Sequence, residues 1–168
     1  LALRGRILYI AMAGPHQLWT LDLDTGVARA WVGSGVENIA DGPARAAALA
    51  QPSGLALHGD RLYFADSEVS AVRYVDLNFN TVHTLIGKGL LHFGDADGPF
   101  TQARLQHPLD VAADDSGVFV ADTYNHKIKR LDQATRTVAT VAGRGAPIAG
   151  GESRDGRAEP SEPNDDPL

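Results

Sequence analysis

Asp66 and Asp122 each end an apolar run in the phrase Ala-Asp, at Ala65-Asp66-Ser67 and Ala121-Asp122-Thr123. A carboxylate at the mouth of a strand can serve as a general base, a metal ligand or an acceptor for backbone N–H groups. Two carboxylates in equivalent places suggest a ring of ligands, but the third equivalent place holds Met12. A turn in which each Asp accepts bonds from its own loop is the plainer expectation. His16 and His126 also occupy equivalent positions, with Ser70 between them. Histidine is the commonest metal ligand, yet two on separate repeats without a third fall short of a site. His58, His83, His92 and His107 share no repeat position.

Around Tyr124 and Asn125 stand His126-Lys127, Lys129-Arg130 and Arg136. Such a cluster could hold phosphates, or could be a solvated strand face. Asp95-Ala96-Asp97-Gly98 opens like a calcium loop, but position 106 is Gln where a closing Glu would stand, so helix capping by Asp97 is expected instead. No nucleophile elbow, phosphate loop or zinc-protease motif occurs. The pairs Gly33-Ser34-Gly35, Gly87-Lys88-Gly89 and Gly143-Arg144-Gly145 recur and are read as strand exits.

These positions are tied together by a repeat. Leu8–Met12, Leu62–Asp66 and Val118–Asp122 match at offsets of 54 and 56, as do Asp22, Asp76 and Asp132, and Gly33, Gly87 and Gly143. In the second unit the runs Gly54–Leu57, Arg61–Ala65, Ala71–Asp76 and Thr81–Ile86 read as four strands joined by hairpin turns. A four-stranded antiparallel meander repeated at this spacing is a propeller blade. The fold class is therefore all-β: three blades, about 1–52, 53–108 and 109–150, of an incomplete β-propeller. The connections carry Asp41-Gly42-Pro43 and Asp97-Gly98-Pro99, followed by Ala47 with Leu49 and Ala103 with Leu105. Asp before Pro predicts a short capped helix there, its apolar residues packing over a blade end.

The chain has 168 residues and net charge −6, with no cysteine. Six acidic residues against two arginines in 152–168 carry −4, leaving −2 for the body, which gives no overall pull on nucleic acid or anionic lipid. Thiol catalysis and thiolate metal sites are excluded. No membrane partner is expected. The tail 151–168 is acidic and proline-rich and is expected to be disordered. Three blades cannot close a ring that takes about 4–8, so the chain is expected either to be a piece of a longer one or to self-associate to complete the ring.

The stretch Val118-Phe119-Val120-Ala121-Asp122-Thr123-Tyr124-Asn125-His126-Lys127-Ile128 resembles the NHL repeat, whose signature is an apolar strand followed by Ala-Asp-Thr-x-Asn-His-x-Ile. The second unit keeps Ala65-Asp66-Ser67 but has Val69-Ser70 for Asn-His, and the first keeps only His16. The Asp-Gly-Pro connections resemble the NHL repeat-containing protein 2 branch, in which a thioredoxin-like domain precedes a six-bladed propeller. The resemblance covers about residues 1–150 and implies a non-catalytic scaffold that presents loops to a protein or peptide partner, without a cofactor. A channel-mouth metal-dependent lyase or hydrolase and an RNA-binding propeller are the alternatives, and any thiol–disulfide chemistry would lie in a separate upstream domain. The sequence does not fix the compartment; the cytoplasm is favoured. The loop face that would bind gathers His16, Asp66, Asp122, Tyr124, Asn125, His126 and Lys127.

Overall fold

A computed structural model describes residues 1–144. The expected tail at 151–168 lies outside the described residues. Alternating apolar runs, broken by Gly, Asp and Asn, fold into three antiparallel sheets. Blade 1 holds β1 (Ala2–Arg4), β2 (Ile7–Met12), β3 (Gln17–Asp22) and β4 (Ala28–Val32), in spatial order β1-β2-β3-β4. The next two sheets have five strands each. Blade 2 is built from β5 (Gly42–Pro43), β6 (Pro52–His58), β7 (Arg61–Asp66), β8 (Ala71–Asp76) and β9 (Thr81–Ile86), in order β5-β9-β8-β7-β6. Blade 3 repeats this with β10 (Gly98–Pro99), β11 (Asp110–Asp114), β12 (Gly117–Asp122), β13 (Lys127–Asp132) and β14 (Thr137–Ala142).

The fifth strands correct the helix expected in each connection. Gly42 and Pro43 pair with Val82 and Thr81, and Gly98 and Pro99 pair with Val138 and Thr137. Gly42 and Gly98 have φ of 127° and 118°, extended in the region that suits glycine, so the chain enters a strand rather than a helix. A single turn follows, in which the Ala46 and Ala47 N–H groups donate to Pro43 O at 2.8 and 2.9 Å. The apolar residues of the connections are buried, but between neighbouring blades rather than over a blade end. Ala47 and Leu49 are buried between blades 1 and 2 with Leu18, Val32, Leu62, Phe64 and Val75. Ala103 and Leu105 are buried between blades 2 and 3 with Ala65, Val72, Val118, Val120 and Leu131. Each fully buried Leu or Phe contributes roughly 1.5–3 kcal/mol.

Each blade carries the same irregularity. The register between its third and fourth strands shifts at Leu18/Trp19, Val72/Arg73 and Ile128/Lys129. The bulge leaves Trp31, Leu85 or Val141 without a cross-strand partner and bends the outer strand. The aspartates that end the third strands close the next hairpin. Oδ1 of Asp76 accepts from the Asn78 and Phe79 N–H groups, and Asp22 and Asp132 do the same in their blades. The recurrent glycines leave the fourth strand as expected and touch the neighbouring turn. A Cβ on Gly87, at φ 117°, would lie 2.4 Å from the Ala71 Cβ.

Gly87→Ala is accordingly expected to destabilise the chain by about 2 kcal/mol or more in urea unfolding, from backbone strain plus the clash. Gly26→Ala, at φ 69° with open space around it, is expected to cost only about 1 kcal/mol.

Candidate functional site

The side chains singled out by their chemistry meet where the connections cross the ends of the second and third strands. In blade 2, Asp66 stands at the end of β7 and Arg73 in β8, both with fully buried side chains. Nη1 of Arg73 donates to Asp66 Oδ2 and to Ala48 O, each at 2.7 Å, and Nη2 donates to Ala40 O at 2.8 Å and Asp41 Oδ1 at 3.0 Å. The other Asp66 oxygen accepts the Ala50 N–H at 2.8 Å. Asp41 in turn accepts the N–H and hydroxyl of Thr84, beside the bulge, at 2.8 and 2.7 Å. One cation thus fixes the whole connection from Ala40 to Ala50 against the blade.

Blade 3 builds the same cluster with lysine. The buried Lys129 Nζ lies 2.8 Å from Asp95, 3.1 Å from Asp97 and 3.6 Å from Asp122. Asp122 accepts the Gln106 N–H at 2.7 Å, and Asp97 accepts the Thr140 N–H at 2.7 Å. The sequence expectation that each Asp accepts from its own turn holds only for Asp122, which takes the Asn125 side-chain amide at 2.7 Å; the backbone N–H groups that Asp66 and Asp122 accept come from elsewhere. Both carboxylates reach back 16 residues to the connection, because the blade end is closed by that segment rather than by solvent. Asp97 clamps an outer strand instead of capping a helix, and Asp95 is paired with Lys127 and Lys129 rather than open to a cation.

Burial pushes the Asp66 carboxyl above the usual carboxylate range, against the pull of Arg73 and the Ala50 N–H. Asp122 is raised for the same reason. Burial pulls the Lys129 ammonium down, but Asp95, Asp97 and Asp122 outweigh it and hold it above its ordinary value. Burial acts to raise Asp95 and Asp97, and their lysine and backbone partners outweigh it and hold both low.

His16, Ser70 and His126 all have left-handed backbone, with φ of 55°, 49° and 53°. His16 Nδ1 accepts the Gln51 N–H and Ser70 Oγ accepts the His107 N–H, each at 3.3 Å. Both bonds stitch one blade to the start of the next. Asn125 is buried and donates to Gly94 O at 2.8 Å and Asp122 Oδ2 at 2.7 Å, so it holds the second connection. Lys127 is paired with Asp95. The basic cluster divides: Lys129 is buried, whereas Arg130 is half-exposed 3.6 Å from Asp132, and Arg136 is exposed, 5.4 Å from the Phe100 ring centre. Tyr124 is exposed and stacks on His107 at 4.5 Å between ring centres, while Glu68 Oε2 lies 3.4 Å from Nε2 of that histidine. Leu90, Leu91 and Phe93 are exposed on the same loop face. Among the described residues, no group of three or more His, Asp or Glu is placed to hold a metal ion.

Arg73 was not singled out by sequence, Lys129 was read only as part of a basic cluster, and His107 only as a histidine sharing no repeat position. Arg73 and Lys129 were detectable: each stands seven residues after the repeated Asp. His107 had no such signal, since its neighbours Tyr124 and Glu68 come from turns of two different blades.

Three antiparallel blades, the second and third with this Asp-anchored turn and the Ala-Asp-Thr-x-Asn-His-x-Ile phrase complete in the third, define an NHL-repeat β-propeller segment, and the chain belongs to that class. It is similar to NHL repeat-containing protein 2 from Homo sapiens, 43% identical in an alignment 165 residues long that covers 84% of this chain and 23% of that protein. It is also 42% identical over 148 residues to Protein SUPPRESSOR OF QUENCHING 1, chloroplastic, from Arabidopsis thaliana, covering 82% of this chain and 14% of that protein. The chain thus spans less than a quarter of the length of these relatives. No family model matches. An auxiliary nutrient binding protein from Bacteroides ovatus superposes with TM-score 0.64 at 23% identity, over 80% of this chain and 35% of that one. A chain of a nidogen/laminin complex superposes with TM-score 0.57 at 15% identity, over 84% of this chain and 46% of that one. These two share the fold.

Two outcomes test the clusters. Asp66→Met alone strands a buried guanidinium and is expected to cost about 3–5 kcal/mol, while Asp66→Met with Arg73→Met costs less than the sum of the two single changes. Blade 1 already carries an uncharged pair at these places, Met12 and Trp19. The second outcome follows from the lowered carboxyls. Asp95 and Asp97 stabilise the fold above the unfolded carboxyl pKa of about 4, and that contribution is lost as pH falls through their lower folded values. Asp97→Asn is expected to lower the melting temperature at pH 7 and to flatten its decline below about pH 4, read by thermal scans across pH.

Proposed function

We propose that this segment is a non-catalytic interaction module whose loop face holds a protein or peptide. The observation that carries this reading is the pattern of exposure on that face. Leu90, Leu91, Phe93 and Tyr124 are 46%, 87%, 51% and 56% exposed, while Asp66, Asp122, Lys127 and Lys129 are each committed to internal partners. Apolar and aromatic side chains held on a rigid frame suit a partner that buries them, and Tyr124 on its His107 platform has the character of an anchor. The enzyme and RNA readings have less support, because the carboxylates Asp66 and Asp122 and the cations Lys127 and Lys129 are paired with one another or with the connections. A neighbour of the same fold occurs in a nidogen/laminin complex. In a longer protein of the branch the chain resembles, this face would set a partner beside a thioredoxin-like domain.

Selecting a displayed random-peptide library on the wild-type chain tests this reading. Selected peptides are expected to lose at least about tenfold in affinity against Leu91→Ser and Tyr124→Ala, and nothing against Phe79→Ser, which alters an exposed side chain on the opposite face. Peptides that bind all three variants equally, or a library that yields none, would count against it.

A further inference from the structure

On the face opposite the loops, the hairpin turns of blades 2 and 3 enclose a cavity of about 730 Å³. Its floor is made by departures from the repeat. Between blades 1 and 2 the equivalent places hold Ile7, Leu57 and Leu77, and the two leucines pack against the apolar cluster there. Between blades 2 and 3 their counterparts are Arg61, Ala113 and Gln133. One smaller side chain and two polar ones thus stand where the other junction is filled with hydrocarbon.

The polar groups of the floor form a chain. Arg61 Nη1 donates to Gln133 Oε1 at 2.7 Å, and Gln133 Nε2 donates to the Tyr63 hydroxyl at 3.0 Å. The Tyr74 ring holds the guanidinium in place, its centre 4.6 Å from the guanidinium carbon. Gln133 takes only one of the several N–H groups that Arg61 carries. Tyr63 is 2% exposed, and its own hydroxyl proton reaches no acceptor among the described residues. A buried phenol with an unspent donor calls for an acceptor from outside the chain. The walls supply the opposite capacity, since Asp60, Asp76, Asp114, Asp115 and Asp132 line the cavity. Oδ1 of Asp76 serves its own hairpin and Oδ1 of Asp115 faces His58 at 3.2 Å, while Oδ2 of each accepts no hydrogen bond among the described residues.

We propose that this cavity is a second binding site, separate from the loop face, and that it takes a neutral polyhydroxylated molecule of roughly one or two sugar rings. Five aspartates against one arginine repel anions such as phosphates. The guanidinium on the floor opposes an organic cation, and among the described residues no group of three or more His, Asp or Glu is placed to hold a metal ion. An apolar ligand would leave the mainly polar lining without hydrogen bonds. A hydroxyl both donates and accepts, so a polyol satisfies the Tyr63 and Arg61 donors and the aspartate acceptors together.

Amide NMR of the full isotope-labelled chain tests this, with glucose, galactose, mannose, maltose and sorbitol each titrated to about 50 mM. At least one of them is expected to shift the Ser116 and Gly117 backbone amides with a dissociation constant of about 10 mM or tighter. Gln133→Leu and Arg61→Ile place in the cavity the residues that the repeat carries at Leu77 and Ile7, so both should fold, with unchanged circular dichroism. Each should weaken binding of that compound by at least about tenfold. Leu91→Ser, on the loop face, should leave it unchanged. No shift at these amides with any of the probes, unaltered affinity in Gln133→Leu and Arg61→Ile, or stronger binding of spermidine or citrate than of every polyol would overturn the proposal.

Discussion

A guanidinium or ammonium with no exposed surface persists only where carboxylates and carbonyls surround it closely. Arg73 and Lys129 meet that condition, and the rest of the architecture follows from how they meet it. Their partners come from two separated segments: the end of the second strand, and the connection before the blade, whose Asp41 or Asp97 also clamps the outer strand. Neutralising one cation therefore forces the connection to run across the blade end. That course places Ala47 and Leu49, or Ala103 and Leu105, between neighbouring sheets, and lays Gly42–Pro43 or Gly98–Pro99 along the outer edge. Such a pair adds little net stability over an apolar substitute, and its effect is to select one path for a connection of about 20 residues.

Blade 1 shows the same constraint from the other side. With Met12 in place of the carboxylate, Trp19 stands in place of the cation, and its indole donates to Gln17 at 3.1 Å. Carboxylate and cation are thus replaced together, and neither stands in blade 1 without its partner.

The fold was legible because its signals are local and repeated. Strands such as Ala71–Asp76 and Thr81–Ile86 carry their own alternation, and matching landmarks at two offsets set the blade. The connections were misread as helical because Asp-Gly-Pro satisfies the capping pattern, while the partners that make it a strand edge, Thr84 and Arg73, lie more than 30 residues away. The candidate site was half legible for the same reason. His16, Asp66, Asp122 and His126 stood out by position, but what each does depends on the segment that crosses it. Asn125 and Lys127 read as surface groups and turn inward to Gly94 and Asp95. The Tyr124–His107 stack joins turns of successive blades and left no trace in spacing.

Amide hydrogen exchange on Lys129→Met is the most direct test of the claim that a buried cation fixes each connection. The Gln106 and Thr140 N–H groups donate to carboxylates that Lys129 neutralises, and Ala50 and Thr84 donate to the corresponding carboxylates of blade 2. Exchange at Gln106 and Thr140 is predicted to speed by at least about tenfold relative to Ala50 and Thr84, a local loss of about 1.4 kcal/mol. Equal changes at all four amides, or none, would contradict it.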